Sequence, residues 1–327
     1  MLIPKDSGFP EDKLRAQTPN VEWPTVLVLC ATYSLWAIGT TLASEASVLL
    51  GIVITTVAIA QFSSLQHEVL HGHPFRHQRL NEALVFPGLT LFVPYGRFRD
   101  LHLAHHHDPI LTDPYDDPES NYQDPAVWAR MPSAMKMLLR CNNTLLGRIL
   151  IGPAVSAASL VLGDLRAARA GDRSVARAWV LHGLGVAMVL AWLLAVGSMP
   201  LWAYLVAAYA GFGLLKIRTF LEHRAHEAAR ARTVIIEDRG PLALLFLNNN
   251  LHVVHHMHPT VAWYRLPGTY RANREHYLRR NEGYLYRSYA EVFGRYLLRA
   301  KDPVPHPLWP EAAQPDAPTR EKAQPAE

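Results

Sequence analysis

Histidine is the residue whose number and spacing carry chemistry in this chain. Of 327 residues 17 are histidine, and most fall in four clusters. The first is His67-Glu68-Val69-Leu70-His71-Gly72-His73 and the second His102-Leu103-Ala104-His105-His106-His107. The third is Glu222-His223-Arg224-Ala225-His226 and the last His252-Val253-Val254-His255-His256-Met257-His258. On a helix, residues at i, i+3 and i+4 share a face. His67 with His71, His102 with His105 and His106, and His252 with His255 and His256 then each present imidazoles in one direction. Imidazole suits iron, zinc, copper and nickel. Eight or nine of them exceed the needs of one ion and fit two ions that keep positions open for oxygen. Iron suits redox work, whereas zinc polarises a substrate or activates water. Cys30 and Cys141 lie far apart and outside any CxxC pattern, which argues against iron–sulfur, thiolate-zinc and disulfide frameworks.

Two other readings compete. His67-Glu68-Val69-Leu70-His71 also fits the H-E-x-x-H pattern of a membrane zinc metalloprotease, with Glu68 as general base. That motif is short, recurs by chance and leaves the other clusters without a purpose. A non-catalytic metal transporter or sensor would string histidines along its membrane spans, whereas these gather in boxes at span ends. One HxxxH taken alone is ordinary surface histidine; the combination is what carries weight.

The elements that position the boxes are apolar. Segments 26–43, 47–65, 179–196 and 201–215 contain no Lys, Arg, Asp or Glu. The first three are long enough to cross a bilayer, and the fourth can borrow the snorkelling stems of Lys216 and Arg218. Only Ser44-Glu45-Ala46 separates the first two, and Gly197 to Pro200 the last two, so each pair forms a tight helical hairpin. Neither turn holds a Lys or Arg, which puts all 32 basic residues on one side with both termini; by the positive-inside rule that side is cytoplasmic. Segments 84–95 and 144–162 are read as interfacial or re-entrant helices under the cytoplasmic domain. The expected fold is an all-α integral membrane protein. Four transmembrane helices in two hairpins carry a cytoplasmic helical domain with a histidine-rich di-iron site.

Residues 1–24 form the expected cytoplasmic N-terminal segment, 25–302 the membrane domain, and 303–327, rich in Pro, Ala and charge, a disordered tail. The first 22 residues lack an apolar h-region, so no cleaved signal peptide is expected. A net charge of only +4 gives no reason to expect nucleic acid as a partner.

The HExxHG box at 67–72, the two HxxHH boxes and the paired hairpins resemble the membrane fatty acid desaturase superfamily. The resemblance covers about 66–267. Thr219-Phe220-Leu221-Glu222-His223 is similar to the family's T-[YF]-L-x-H segment, and Asn250-Leu251-His252-Val253-Val254-His255-His256 to its N-x-H-x-x-H-H last box. Leu111 to Pro114 and Asp117 to Ser120 look like the acidic stretch that trails the second box. The ligands this implies are His67, His71, His102, His105, His106, His223, His252, His255 and His256. Asn250 is implied as a holder of water or of one ion's shell. Glu68, Glu222, Asp113, Asp117 and Glu119 are candidate acceptors of ligand N–H groups, which orient imidazoles and raise their basicity. His73 stands one position away from where many relatives carry a third histidine of the first box; His107, His226 and His258 have no certain family counterpart and are read as surface or supporting residues; His182 lies within a span, outside any box.

The resemblance further implies two ferrous ions, O2 as co-substrate, and an acyl chain of a membrane lipid as substrate, into which a double bond is introduced. Hydroxylases and ketolases of the same superfamily, or desaturases of a small non-lipid substrate such as dihydrorhizobitoxine, are the alternatives. No HPGG haem motif, ferredoxin-like cysteine set or GxGxxG nucleotide site is present, so no bound nucleotide is expected and electrons must come from a ferredoxin or another small carrier. Arg76, Arg79, Arg97 and Arg99 are candidates for docking an acidic carrier. The compact Ala/Arg-rich chain suggests the inner membrane of a bacterium.

Overall fold

The structure is a computed structural model that describes residues 20–107 and 111–309. Its principal helices are α1 (Trp23–Ile38), α2 (Val48–Leu70), α3 (Tyr95–His107), α4 (Leu145–Leu150), α5 (Gly152–Arg169), α6 (Arg173–Ala195), α7 (Leu201–Thr219) and α8 (His252–Met257). Among the described residues the only sheet is a parallel pair of two-residue strands, Ile235–Ile236 and Leu285–Tyr286.

Local chemistry sets the helix ends. Pro24 sits in the first turn of α1, where its missing N–H costs nothing. The Asp172 side chain accepts from Ser174 N (2.9 Å) and Val175 N (3.4 Å) to open α6. α1 runs on through a π-helical turn at Gly39–Ala43 and a short piece at Ser44–Ala46; Ser47 then reverses the chain into α2. α6 and α7 are joined as tightly, with Pro200 preceding α7. The two turns are stitched together: Thr40 O accepts from Ser198 N (3.0 Å) and Met199 N (3.1 Å), while Trp192 Nε1 donates to Thr40 Oγ1 (3.0 Å).

Among the described residues three helices are long and apolar enough to cross a membrane: 23–46, 48–70 and 173–195. α7 is not among them, because Lys216 and Arg218 fall in its last turn. Large aliphatic side chains such as Leu27, Leu49, Leu184 and Leu194 point outward from the three and stay exposed. In water that much apolar surface would be a liability; in lipid it is the expected outer face.

Inside, the helices cross on small residues, as membrane helices do where packing rather than hydrophobicity drives contact. Gly211 of α7 lies against Ile59 of α2, where an added Cβ would come within 2.9 Å of Ile59 Cγ2 and 3.1 Å of Thr56 O. Trp36, Phe62 and Tyr204 fill the same core, with Trp36 Nε1 donating to Tyr204 Oη (3.1 Å).

Two segments differ from expectation. Residues 84–95 are not a helix: the helix Gln78–Leu84 stops and the chain continues in turns to Tyr95. Pro87, Gly88 and Pro94 account for the break. The carbonyls freed by it find side-chain donors inside the protein: Leu84 O takes Tyr33 Oη–H (2.6 Å), Leu89 O takes Tyr204 Oη–H (2.9 Å), and Leu91 O takes His182 Nε2–H (2.9 Å). Segment 144–162 is helical but interrupted at Ile151, where Gly152 and Pro153 start a second helix that runs on to Arg169.

At the ends, α1 already begins at Trp23, and Glu22 before it is buried. Residues 303–309, placed in the tail by composition, are packed: Val304 and His306 are buried, and Gln123 exchanges backbone bonds with Val304 O (2.9 Å) and His306 N (2.8 Å). Residues 1–19 and 310–327 lie outside the described residues.

Because α7 and α2 meet without room at Gly211, Gly211→Leu is expected to destabilise by about 1–3 kcal/mol. It should lower the detergent-solubilised melting temperature, whereas Gly183→Ala, where a Cβ meets nothing within 4 Å, leaves it in place. Equal melting of the two variants would contradict this packing.

Candidate metal centre

Four elements converge on the histidines. α2 carries His67 in its last turn and ends at His71; α3 carries His102, His105 and His106; His223 follows α7; α8 carries His252, His255 and His256. These nine form two groups. His67, His71, His102, His106 and His255 make one; His105, His223, His252 and His256 make the other, with the candidate ligand atoms of each group within 4.8 Å of one another. Adjacent residues on a helix do not share a face. Each HxxHH box is therefore split: His105 and His106 go to different groups, as do His255 and His256. The groups abut, with the His106 and His256 rings stacked at 4.3 Å between centroids.

The ring nitrogens fit metal better than they fit each other. His102 Nε2 and His106 Nε2 lie 3.0 Å apart, His255 Nε2 and His106 Nε2 3.1 Å, His105 Nε2 and His223 Nε2 2.9 Å, and His252 Nε2 and His223 Nε2 3.2 Å. Yet several of these rings commit their proton elsewhere. His102 Nδ1–H donates to Glu119 Oε1 (2.7 Å), His105 Nδ1–H to Asp117 Oδ1 (2.7 Å), and His252 Nδ1–H to Asn249 Oδ1 (3.1 Å). Their Nε2 atoms then carry lone pairs that point into the groups, where a cation can take them. His67 Nε2 and His71 Nε2 are buried with no hydrogen-bond partner, as expected of nitrogens reserved for a metal. Metal–nitrogen bonds of about 2.0–2.1 Å at right angles would set ligand nitrogens about 2.9 Å apart, close to the contacts observed. The donor set is all imidazole, which suits iron.

Electrostatics agree. Burial, reinforced by neighbouring imidazoles, holds His223, His252, His255 and His256 well below the ordinary histidine value, and pulls His106 down to about 2. Neutral imidazole is the ligand form. His105 is the exception: burial opposes its charge, but Glu119 and Asp117 outweigh burial and raise it to about 9. Those two carboxylates call for positive charge at this spot, which a metal ion would supply.

The supporting residues divide. Asp117 is held by Thr112 N (2.7 Å) and Glu119 N (2.9 Å) while it accepts from His105. Thr112 adopts a left-handed conformation to make that contact. Glu119 spans the two groups, bonded to His102 and 3.9 Å from His105 Nε2. Glu222 lies 3.8 Å from His252 Nδ1 and acts through Asn249, whose Nδ2 donates to Glu222 Oε1 (3.0 Å); Arg218 Nε is 3.2 Å from the same oxygen. Asn249 and Arg218 escaped the sequence analysis; the Asn248-Asn249-Asn250 run ahead of the last box was the available signal.

Three of the candidate supporting residues have partners outside the histidine groups. Asp113 accepts from Tyr115 N (2.8 Å) and Asp116 N (3.0 Å), building its own turn rather than orienting a ligand. Glu68 accepts from Trp263 N (3.4 Å) and lies 4.0 Å from His73 Nε2, so it serves neither histidine group. Asn250 Nδ2 donates to Ile236 O (2.7 Å) and Asp238 O (3.2 Å), fastening the loop ahead of α8, while its buried Oδ1 has no partner. His73 is bound to Glu22 (2.8 Å), His107 to Leu103 O (2.5 Å), and His226 lies 3.6 Å from Glu282; none of them joins a group, nor does buried His258. Of the arginines considered for carrier docking, Arg97 is paired with Asp164 (2.8 Å) and Arg99 with Glu82 (2.7 Å) and Asp100 (2.9 Å).

A cavity of about 620 Å³ reaches the centre at Glu119, Glu222 and His223 and extends between α3, α5 and α7. That volume lies in the usual range for small-molecule sites.

Carboxylate partners of metal-bound imidazoles typically govern affinity by about 10–100-fold. Asp117→Ala and Glu119→Ala are each expected to lower metal retention by that factor in a chelator titration read by elemental analysis. Asp113→Ala should behave as the parent chain; equal retention in all three would contradict the assignment.

Compared with known families, residues 44–289 match the fatty acid desaturase model, a span that includes every histidine of both groups. No curated protein matches the chain significantly. The H-E-x-x-H protease reading has no support here, since Glu68 faces away from the histidine groups and His67 and His71 share theirs with three further histidines. With three apolar helices of membrane-spanning length and two adjoining histidine metal sites, this chain belongs to the fatty acid desaturase family and is a membrane di-iron oxidoreductase of that type.

Proposed function

We propose that the chain binds one iron in each histidine group and introduces a double bond into the acyl chain of a lipid. The observation that supports this most is the division of nine imidazoles into adjoining sets of five and four. Five nitrogens exceed what tetrahedral zinc takes, and an all-imidazole set on two neighbouring ions suits iron redox chemistry. The ions, when bound, supply O2 activation and removal of hydrogen from an unactivated C–H bond, with electrons from a ferredoxin or another small carrier.

The residues of the chain do the rest. His67, His71, His102, His106 and His255 would hold one iron, and His105, His223, His252 and His256 the other. Asp117, Glu119 and Asn249 keep the imidazole protons on Nδ1, so that Nε2 faces inward. Burial of the rings excludes bulk water, which guards against loss of reactive oxygen species to solvent. The cavity beside His223 positions the substrate.

The topology proposed has four spans, with α7 as the fourth. Its outward Trp202, Leu205 and Val206 are exposed as on the other three. Two hairpins then place the histidines, both termini and the basic residues on the cytoplasmic side of a bacterial inner membrane.

Mass spectrometry of lipid and polar extracts from cells expressing the chain with a ferredoxin system, against His106→Ala and His255→Ala controls, tests the reaction. Loss of two hydrogens from an acyl chain, absent in both controls, is the expected result. Gain of one oxygen would instead assign a hydroxylase, and no product in any extract would overturn the reading.

A further inference from the structure

The cavity that reaches the metal centre is lined by charged side chains, and two of its cations have no carboxylate partner among the described residues. Its acids are all engaged: Asp117 with His105, Glu119 with His102, Asp164 with Arg97, Glu222 with Arg218, and Asp302 with Lys301 at 3.6 Å. Two cations remain on the wall without a carboxylate within ion-pair distance among the described residues, Arg148 and Lys216. Arg148 is 5% exposed; its Nε donates to Asn142 O (2.8 Å) and its Nη1 to Asn121 Oδ1, and its guanidinium lies over the Phe220 ring. Lys216 donates to Ser156 Oγ (2.7 Å). Every acceptor the two cations have found is neutral, and each retains N–H groups beyond those bonds.

The two charges are neighbours. α4 and α7 pack closely enough that a Cβ on Gly213 would come within 2.7 Å of Ile149 O. Phe220, under Arg148, lies one turn beyond Lys216. Two like charges brought together and away from water are costly unless something neutralises them. Lys216 and His223 line the same cavity. A group bound at the cations is thus within small-molecule reach of the histidines.

We infer that Arg148 and Lys216 form an internal anchor for the anionic oxyacid head, carboxylate or phosphate, of a compact amphiphile whose apolar part extends toward the histidine groups. This rests on the proposed oxidation chemistry and narrows its substrate to a free acid or phosphate monoester that enters the cavity whole. A neutral glyceride or an acyl group esterified through its carboxyl does not satisfy the two cations. The oxidised carbon is then counted from the charged end, with Arg148 and Lys216 as the fixed point.

The test reads binding without turnover. Iron-loaded full-length protein in lipid nanodiscs is titrated calorimetrically, with empty-nanodisc subtraction, against straight-chain carboxylates from butanoate to octanoate, their methyl esters, and octyl phosphate. At least one carboxylate or octyl phosphate should bind, and its neutral ester about tenfold more weakly or worse, since charge-assisted bonds at a buried site are lost. Whichever of octanoate and octyl phosphate binds tighter identifies the head. Lys216→Met and Arg148→Gln should each weaken the anion by about tenfold, and Lys216→Arg should restore most of it. Esters binding as well as acids, or no binding by any anion, would overturn the anchor, and that comparison stands even where a variant fails to fold. Iron counted in the same samples separates the two ideas. Anion binding without two irons per chain would sink the di-iron reading and leave the anchor; two irons with no preference for the acid would do the reverse.

Discussion

Nine imidazoles, buried or half-buried, gathered into two tight groups are the constraint on which the rest of this structure depends. With Nδ1 committed outward, the Nε2 lone pairs of His102, His105 and His252 point into the groups, where a cation can take them. Holding the rings in place requires second partners on the outside. Asp117, Glu119 and Asn249 supply them; Asp117 is fixed in turn by the backbone amides of Thr112 and Glu119, and Asn249 by Glu222. The carboxylates balance charge that arrives with the metal, so the site is built for occupancy.

The scaffold follows from that demand. Four elements have to deliver histidines to one place, and the hairpins α1–α2 and α6–α7, their turns hydrogen-bonded to each other through Thr40, fix two of them, α2 and α7. The crossing at Gly211 brings α7 against α2, so His67 and His223 each reach one of the two adjoining groups. The broken segment 85–94 packs against α6 and α7, its free carbonyls bound by Tyr204 and His182. Irregular backbone survives deep in a membrane protein only when the protein itself satisfies it.

Much of this was legible in the sequence because the relevant signals are local. The i, i+3, i+4 spacing gave the shared faces, and charge-free runs gave three of the long helices. What could not be read was set by tertiary contacts. Which histidine joins which group depends on how four helix ends meet, so neither the split between His105 and His106 nor that between His255 and His256 was visible. Asp113 and Asp117 look alike in sequence; only the turn at Thr112 decides that Asp117 faces His105 and Asp113 does not. The helix expected at 84–95 failed because its apolar composition outweighed Pro87, Gly88 and Pro94 in the reading. Lys216 passed for a snorkelling residue, and its place on the cavity wall was hidden until α4 and α5 were in position.

The central claim is that the histidines form two metal sites with unequal ligand sets. Anomalous scattering at the iron edge from crystals of anaerobically loaded protein tests it most directly. Two peaks are predicted, one enclosed by His67, His71, His102, His106 and His255 and the other by His105, His223, His252 and His256. A single peak, or peaks away from these groups, would contradict it.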